Sequence, residues 1–414
     1  MNCELKYLDI SDWVSIGVLG VLFLAQLYFY ARYMAAPARR IRRDRKKGPV
    51  AADTNENVPG VSVVLCAHNE AYNISQYLQA ILTQDWPEYE VIVVDDGSED
   101  ETRAMIERYM VHDPRLHMTF VPYGARVGST KKLALTLAAK AAKYDYLLLT
   151  DADCVPESNQ WIRTMMQGFG KVPSDQVPSD QVPSGSGGQY QSTKDIVLGF
   201  SPYFAEKGFV NRLVRYDTLF NGLHYLGAAL CGIPYMGVGR NLAYRKALFF
   251  ESGGFTHLMN KVAGDDDLFV NHVATKQNTA VVLSPESYTW SLSKKTMREW
   301  IQQKRRHLSV SPAYKESTKM RLGIEPMTRG LFYAAVIAVS VLYCPTSLAL
   351  PAIPFMVAFG LFFIRWIMQT AILNVSARRM GLERFNMFSV LWFDIMLPLV
   401  NLWILIVPKR NNKW

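Results

Sequence analysis

The sequence predicts an α/β domain, a mostly parallel sheet covered by crossover helices, held between an amino-terminal membrane anchor and carboxyl-terminal membrane helices. Three observations predict it. Short apolar runs that read as strands alternate with helix-like stretches from residue 58 onward. Half of the 414 residues are hydrophobic, and the excess gathers into four long runs. A dense block of arginine and lysine follows the first of these runs at once.

That first run, residues 13–30, has about the length needed to span a bilayer. Arg32, Arg39, Arg40, Arg42, Arg43, Arg45, Lys46 and Lys47 come directly after it and belong on the cytoplasmic side. Glu4, Asp9 and Asp12 precede it, whereas a cleavable signal peptide carries its positive charge first, so the run reads as an uncleaved anchor. Near the other end, residues 331–344, 348–373 and 387–407 each approach or exceed spanning length. Arg378, Arg379 and Arg384 again read as cytoplasmic. Four full crossings would place Lys409, Arg410 and Lys413 outside, against that tendency, while one re-entrant segment would return them. Asp394 and Pro398 mark the last run as the one to be broken, and an ionisable residue there suggests a role. The expected organisation is an anchor with its basic segment over 1–48, a soluble domain over 58–310 and a membrane domain over 328–414.

The net charge of +9 comes mostly from the juxtamembrane basic residues and favours anionic lipid headgroups. Those charges flank spans and do not interleave with aromatics on one face, which argues against nucleic acid as a partner. The five cysteines, Cys3, Cys66, Cys154, Cys231 and Cys344, are scattered, odd in number and without metal-ligand spacing. No disulfide framework is expected, in keeping with a reducing cytosolic side.

Within the soluble region, residues 61–66 read as a strand, followed by Ala67-His-Asn-Glu70 and a helix over 74–82. The next unit has a strand over 90–94, then Asp95-Asp-Gly-Ser-Glu-Asp100 and a helix over 105–110. Here Ser98 and Glu101 have capping-box spacing and Gly97 serves the turn. A third helix, 131–143, leads into Tyr146-Leu-Leu-Leu-Thr-Asp-Ala-Asp153, a buried strand that ends in two carboxylates. A tandem pentapeptide, Val-Pro-Ser-Asp-Gln at Val172 and Val177, has too few apolar groups to offset its ordering entropy, so 171–193 is expected to be a disordered insert.

In an open α/β sheet, ligands lie just beyond the carboxyl ends of the strands. Glu70, Asp95, Asp96, Asp151 and Asp153 therefore converge on one edge. Two carboxylates one residue apart repel unless a cation or proton sits between them, and hard oxygens at that spacing suit Mg²⁺ or Mn²⁺ holding a substrate diphosphate. An Asp-capped turn is the alternative. The other acidic residues suit ribose hydroxyls or a base imide. Lys131 opens the third helix, where it can meet a phosphate or simply be solvated. Gly264-Asp-Asp-Asp-Leu268 places three carboxylates before a helix-like stretch, 268–274. They complement the helix dipole, but three exceed that need, and one of them near an acceptor hydroxyl could serve as general base. Last, Trp300-Ile-Gln-Gln-Lys-Arg-Arg-His307 reads as an interfacial helix with one basic face, where Arg305 or Arg306 would match diphosphate oxygens or lipid headgroups.

In this order the motifs resemble the family 2 glycosyltransferases of the GT-A fold, in their membrane-embedded branch related to polysaccharide and glycolipid synthases. The resemblance covers about residues 58–310 and the plan of spans. It implies a GT-A type, Rossmann-like mixed sheet and an inverting transfer by direct displacement at the anomeric carbon. The donor would be a nucleotide sugar, most simply UDP-linked, with Mg²⁺ or Mn²⁺; the acceptor would be lipid-linked or a growing glycan at the cytoplasmic face of a bacterial membrane. By the same resemblance Ala67, Asn69, Glu70, Asp95 and Asp96 bind the nucleoside, Asp151 and Asp153 bind metal and diphosphate, and Lys131 belongs to the donor site. Asn241, in the stretch 239–245, and Asp267 fall in the acceptor region. Asp265 is the implied base, but Gly264 stands where the family has Glu, which leaves Asp265 and Asp266 both open. Gln302 and Arg305 match the family's Gln-x-x-Arg-Trp, with Arg306 in the place of Trp. That Trp contacts the acceptor sugar in processive synthases, so its replacement implies a single transfer more readily than long-chain polymerisation. The alternative is a non-catalytic membrane scaffold that keeps the fold and binds nucleotide. A dinucleotide oxidoreductase is disfavoured, since no Gly-x-Gly-x-x-Gly follows the first strand.

Overall fold

The computed structural model describes residues 8–47, 58–122, 129–170, 193–261, 263–344 and 353–407. The pentapeptide repeat and Lys409, Arg410 and Lys413 lie outside the described residues. Strands β1 (Val61–Ala67), β2 (Tyr89–Asp95), β3 (Leu116–Phe120) and β4 (Tyr146–Asp151) run parallel, with β1 between β2 and β4 and β3 at the edge. Helices α3 (Ala71–Leu82), α4 (Thr102–His112) and α5 (Thr130–Ala141) make the crossovers. Beyond β4 the direction reverses. β7 (Leu242–Arg245) pairs antiparallel with both β4 and β6 (Ile196–Leu198), and β8 (Thr279–Val281) runs parallel to β6. The sheet is therefore mixed, in the order β3-β2-β1-β4-β7-β6-β8. A short ribbon of β5 (Cys154–Pro156) and β9 (Thr289–Ser291) lies beside it.

Alternation along the strands feeds two cores. Val61, Val63, Leu65, Val91, Val93 and Leu148 face α3, α4 and α6 (Trp161–Gln167). Val64, Ile92, Val94, Leu147 and Leu149 face α5 and the long α7 (Phe209–Leu230). Both faces are covered, which is why these strands read as unbroken apolar runs. Gly97 does adopt positive φ, at 70°. The expected capping box at Ser98 does not form. Glu101 takes the N-cap position without a side-chain bond, Asp100 accepts from the backbone N–H of Thr102 instead, and Ser98 turns toward Asn69.

Among the described residues, four helices are long and apolar enough to cross a membrane. The first begins as α1 (Ile10–Phe29) and passes through a π-helical turn at Tyr30–Met34 into the basic α2 (Ala36–Lys47). The others are α11 (Glu316–Leu342), α12 (Ile353–Arg379) and α13 (Met387–Ile406). The π turn presses on α7 at Gly227, where an added Cβ would lie only 2.1 Å from the carbonyl oxygen of Tyr33. α11 starts at Glu316, well before the apolar run, and α13 continues through Asp394 and Pro398 rather than breaking there.

Asp394 explains that continuity. Its carboxylate is fully buried and accepts from Arg329 of α11 at 2.9 Å, Arg365 of α12 at 2.9 Å, Gln369 of α12 at 2.7 Å and Tyr333 of α11 at 2.5 Å. Arg365 also reaches Gln26 of α1 at 3.0 Å, Arg329 pairs with Glu325, and Gln369 donates to Tyr216 of α7 at 3.2 Å. A carboxylate among membrane helices persists only when neutralised and fully bonded. One side chain thus gathers all four membrane helices and the catalytic-side α7. Replacing Asp394 with Asn leaves two buried guanidinium groups short of their counter-charge and should cost about 3–5 kcal/mol, as breaking such networks does. Thermal unfolding in detergent or nanodiscs should show a large drop for Asp394→Asn and little change for the exposed Asp44→Asn; equal midpoints would refute a central role for Asp394.

Candidate active site

The loops after β1 and β2 are laced together. The backbone N–H of Asp96 donates to the Ala67 carbonyl at 2.8 Å. Asn69 holds φ at 56°, its N–H donates to Ser98 Oγ at 3.0 Å, and its side-chain oxygen accepts from the N–H of Glu99 at 2.8 Å. Asp95 is buried and accepts from the N–H of Ser98 at 3.0 Å. Ala67, Asn69 and Asp95 thereby shape this edge. Asp96, half-buried and touched by Thr130 at 2.6 Å, and Glu70, bonded to Asn73 at 2.5 Å, each keep a carboxylate oxygen free for a ligand. Burial pushes Glu70 up, and Asp153 and Asp151 add to the effect.

At the end of β4, Lys131 Nζ lies 2.9 Å from Asp151 Oδ1 and 3.5 Å from Asp265 Oδ2. Burial works against ionisation of Asp151, yet the Lys131 ammonium, aided by Arg240 and Arg306, holds it below the usual carboxylate range. Burial and the adjacent Asp151 push Asp153 up instead. Such a split is what two crowded carboxylates do without a cation between them. Among the described residues no group of three or more His, Cys, Asp or Glu forms a metal cage. Asp151 and Asp153 fit a hard dication as two oxygen ligands, with the remaining positions left to diphosphate and water. A cavity of about 250 Å³ opens beside Asp153, lined also by Asn73, Ser293, Lys294, Lys295 and Glu299.

Gly264 has φ of 95°, and a Cβ there would meet Leu268 at 2.5 Å, so the backbone itself excludes the family's glutamate. The three aspartates that follow diverge. Asp265 faces Lys131. Asp266 N-caps α9 (Asp267–Val273), accepting from the N–H of Asp267 at 2.7 Å and of Gly239 at 2.8 Å. Asp267 is buried and accepts from Tyr314 at 2.9 Å and from the N–H of Leu268 at 2.7 Å. Each oxygen of Asp266 and of Asp267 thus accepts one hydrogen bond within the protein, whereas Asp265 pairs with Lys131. Asn241 is likewise sealed: fully buried, it accepts from Trp161 and donates to the carbonyls of Phe200 and Ser287, so it secures the entry to β7 rather than lining the acceptor region. Buried Lys132 anchors the loop that carries Asp265 by donating to the carbonyls of Lys261 and Ala263.

Helix α10 (Met297–Leu308) opens on a true capping box, Thr296 with Glu299. It buries Trp300 and touches α13, while Arg298, Glu299, Gln302, Arg306 and His307 stay exposed, in keeping with the expected amphipathic helix. Trp300 is buried, Lys304 donates to both oxygens of Asp217 on α7 at 2.8 Å, and Arg305 stacks 5.4 Å from the Trp403 ring of α13. Gln303, Arg306 and His307 share the other face at i, i+3 and i+4 spacing. Gln303 donates to Tyr203, Arg306 acts on Asp151, and His307 feels Arg306, Arg240 and Asp265. Gln303, Arg306 and His307 thus repeat the Gln-x-x-Arg-aromatic spacing one residue on from the expected Gln302, Arg305 and Arg306, with an imidazole in the aromatic place. Crowding by the surrounding chain, with Arg306, Arg240 and Lys304 nearby, lowers the His307 value, although its side chain still reaches solvent. Gln302 is exposed.

Arg240 was missed by the sequence reading. It stacks 4.3 Å over the Tyr203 ring, donates to Ser291 and to the Ser201 carbonyl, and acts electrostatically on Asp151 and Asp153. Its place inside the 239–245 segment, next to an acidic edge, was the available signal.

Burial, then Asp265 and Asp267, push Asp266 up to about 7, and burial pushes Asp267 to about 6. Raised carboxyl values stabilise the fold below the unfolded value, about 4, and that stability is lost as pH rises through the folded values. The thermal midpoint should therefore fall between about pH 5 and pH 8, and fall less in Asp266→Asn; an identical fall in both proteins would exclude Asp266 as a source.

Comparison with known proteins agrees with this architecture. The Glycosyl transferase family 2 model matches residues 62–230, and the Glycosyl transferase family 21 model matches residues 207–414, half of the chain. The chain is 30% identical over 119 residues to the poly-beta-1,6-N-acetyl-D-glucosamine synthase of Staphylococcus epidermidis strain RP62A, covering 29% of this chain and 27% of that protein. It is 27% identical over 137 residues to the synthase of the same name from Staphylococcus aureus strain COL, covering 33% of this chain and 30% of that protein. These matches span less than a third of the relatives' length. Among solved structures, the mannosyltransferase PcManGT from Pyrobaculum calidifontis, in complex with GDP-Man and Mn²⁺, superposes with a TM-score of 0.53 at 19% identity, covering 89% of this chain and 98% of that one. At that identity the likeness is one of fold, a GT-A sheet. The two models meet on α7, and since the second covers half of the chain and runs through the membrane helices, the chain belongs to glycosyl transferase family 21, with a region similar to family 2 ahead of it.

Proposed function

We propose that the protein transfers a hexose or N-acetylhexosamine, with inversion, from a UDP-linked donor to a lipid-linked or short glycan acceptor at the cytoplasmic membrane face. In this reading residues 58–310 carry the transfer, and 1–48 and 328–414 hold it at the membrane. One observation carries the proposal: Lys131 stands between Asp151 and Asp265, which brings a diphosphate-binding carboxylate and a base within reach of one ammonium.

Asp96 and Glu70 accept from the nucleoside, on the edge that Ala67, Asn69 and Asp95 hold rigid. Asp151 and Asp153 hold the divalent ion, which when bound neutralises charge on the departing diphosphate. Lys131, Arg306 and Arg240 place positive charge around the same leaving group. Asp265 takes the proton of the acceptor hydroxyl as its oxygen bonds to the anomeric carbon and the bond to the diphosphate breaks. His307 offers the acceptor sugar an aromatic face and one hydrogen-bonding nitrogen.

Membranes carrying the protein should move label from one member of a panel of nucleotide sugars into lipid or glycan. Asp265→Asn should lower kcat by about 10²–10⁴, and Asp153→Asn should abolish turnover, both with normal membrane insertion. Unchanged turnover in either would sink the site assignment. The helix register gives a sharper comparison. Arg306→Ala should cost about 10²–10³ in kcat, whereas Arg305→Ala should keep turnover within a few-fold and mainly lower thermal stability through loss of the Trp403 stack. The reverse ranking would restore the Gln302–Arg305 alignment.

A further inference from the structure

Lys131 does more than line the donor site. It projects from the first turn of α5, whose end is pinned by the bond from Thr130 to Asp96. Its ammonium sits on Asp151 Oδ1, one of the oxygens a divalent ion would need, and its side chain is 41% exposed, so it is free to swing. An ammonium and a dication cannot share one carboxylate oxygen without strong repulsion. Asp265, 3.5 Å away, is the only other carboxylate with which Lys131 forms an ion pair among the described residues.

Resting on the reading above, we propose that Lys131 is a placeholder cation: it competes with the divalent ion for Asp151, and a donor diphosphate relieves that competition by drawing the ammonium onto its own oxygens. Metal and donor then favour one another beyond the direct bonds between them, and by linkage the effect is reciprocal. The site keeps its carboxylates neutralised between turnovers and takes up its ion together with substrate. Lys131 is in this respect a positioning residue, acting through Asp151.

The test is Mn²⁺ binding to the full-length protein in nanodiscs, followed by the electron paramagnetic resonance of free Mn²⁺, with and without UDP. Without nucleotide, Lys131→Met and Lys131→Gln should bind Mn²⁺ about 10-fold more tightly than wild type, while Lys131→Arg, which keeps the charge, should bind as weakly as wild type. The factor by which UDP tightens Mn²⁺ should shrink in both neutral variants. A merely structural lysine would weaken binding or leave it unchanged, and either result overturns the proposal. Should the wild-type protein bind no Mn²⁺ even with UDP, the metal-diphosphate reading of Asp151 and Asp153 fails instead, and this inference falls with it.

Discussion

Mutual repulsion among carboxylates at one sheet edge is the constraint around which this protein is arranged. Glu70, Asp96, Asp151, Asp153 and Asp265 come from four separate segments, and each was brought there by the strand or turn before it. The offsetting cations come from three others: Lys131 from α5, Arg240 from the turn before β7, and Arg306 from α10. Elements far apart in sequence are therefore held to one place by charge as well as by apolar packing. The helix leading to the membrane has its orientation tied to the same edge, because Arg306 can serve it only in one rotation of α10.

The membrane half solves the same problem with the signs exchanged. There one carboxylate, Asp394, is offset by two guanidinium groups, with Glu325 balancing the surplus. These groups are buried among the helices. The cleft leaves its charges open to ligand, whereas the membrane cluster bonds mainly within itself, with Glu325 Oε1 and Arg329 Nε left unpaired among the described residues. The first arrangement suits exchange and the second suits permanence.

Much of this was legible from the chain. Strands β1, β2 and β4 announced themselves as unbroken apolar runs because both faces are covered, and the acidic residues at their ends follow from where such strands stop. What escaped was decided by contacts distant in sequence. The run Gln302-Gln-Lys-Arg-Arg-His307 allows two registers, and only the burial of Trp300 and the pairing of Lys304 with Asp217, 87 positions away, select one. Asp266, Asp267 and Asn241 have the chemistry of site residues, but neighbouring N–H and O–H groups, invisible in a linear reading, consume it. Ser98 and Glu101 have the right spacing for a cap, and Asp100 outcompeted them by one shorter reach. Arg240 was passed over because its neighbours, not its own type, make it matter.

The hydrophobic face of the sheet turned toward α5 and α7 has no border with the membrane helices. Val64, Leu149, Tyr216, Leu223, Leu373, Phe393 and Leu397 belong to one continuous packed cluster that also takes in Tyr30 and Met34 of the π turn. Sheet and membrane helices are consequently not two bodies joined by linkers but share one packed core. Any displacement of α12 or α13 would therefore have to be absorbed by side chains that also floor the sheet beneath the cleft.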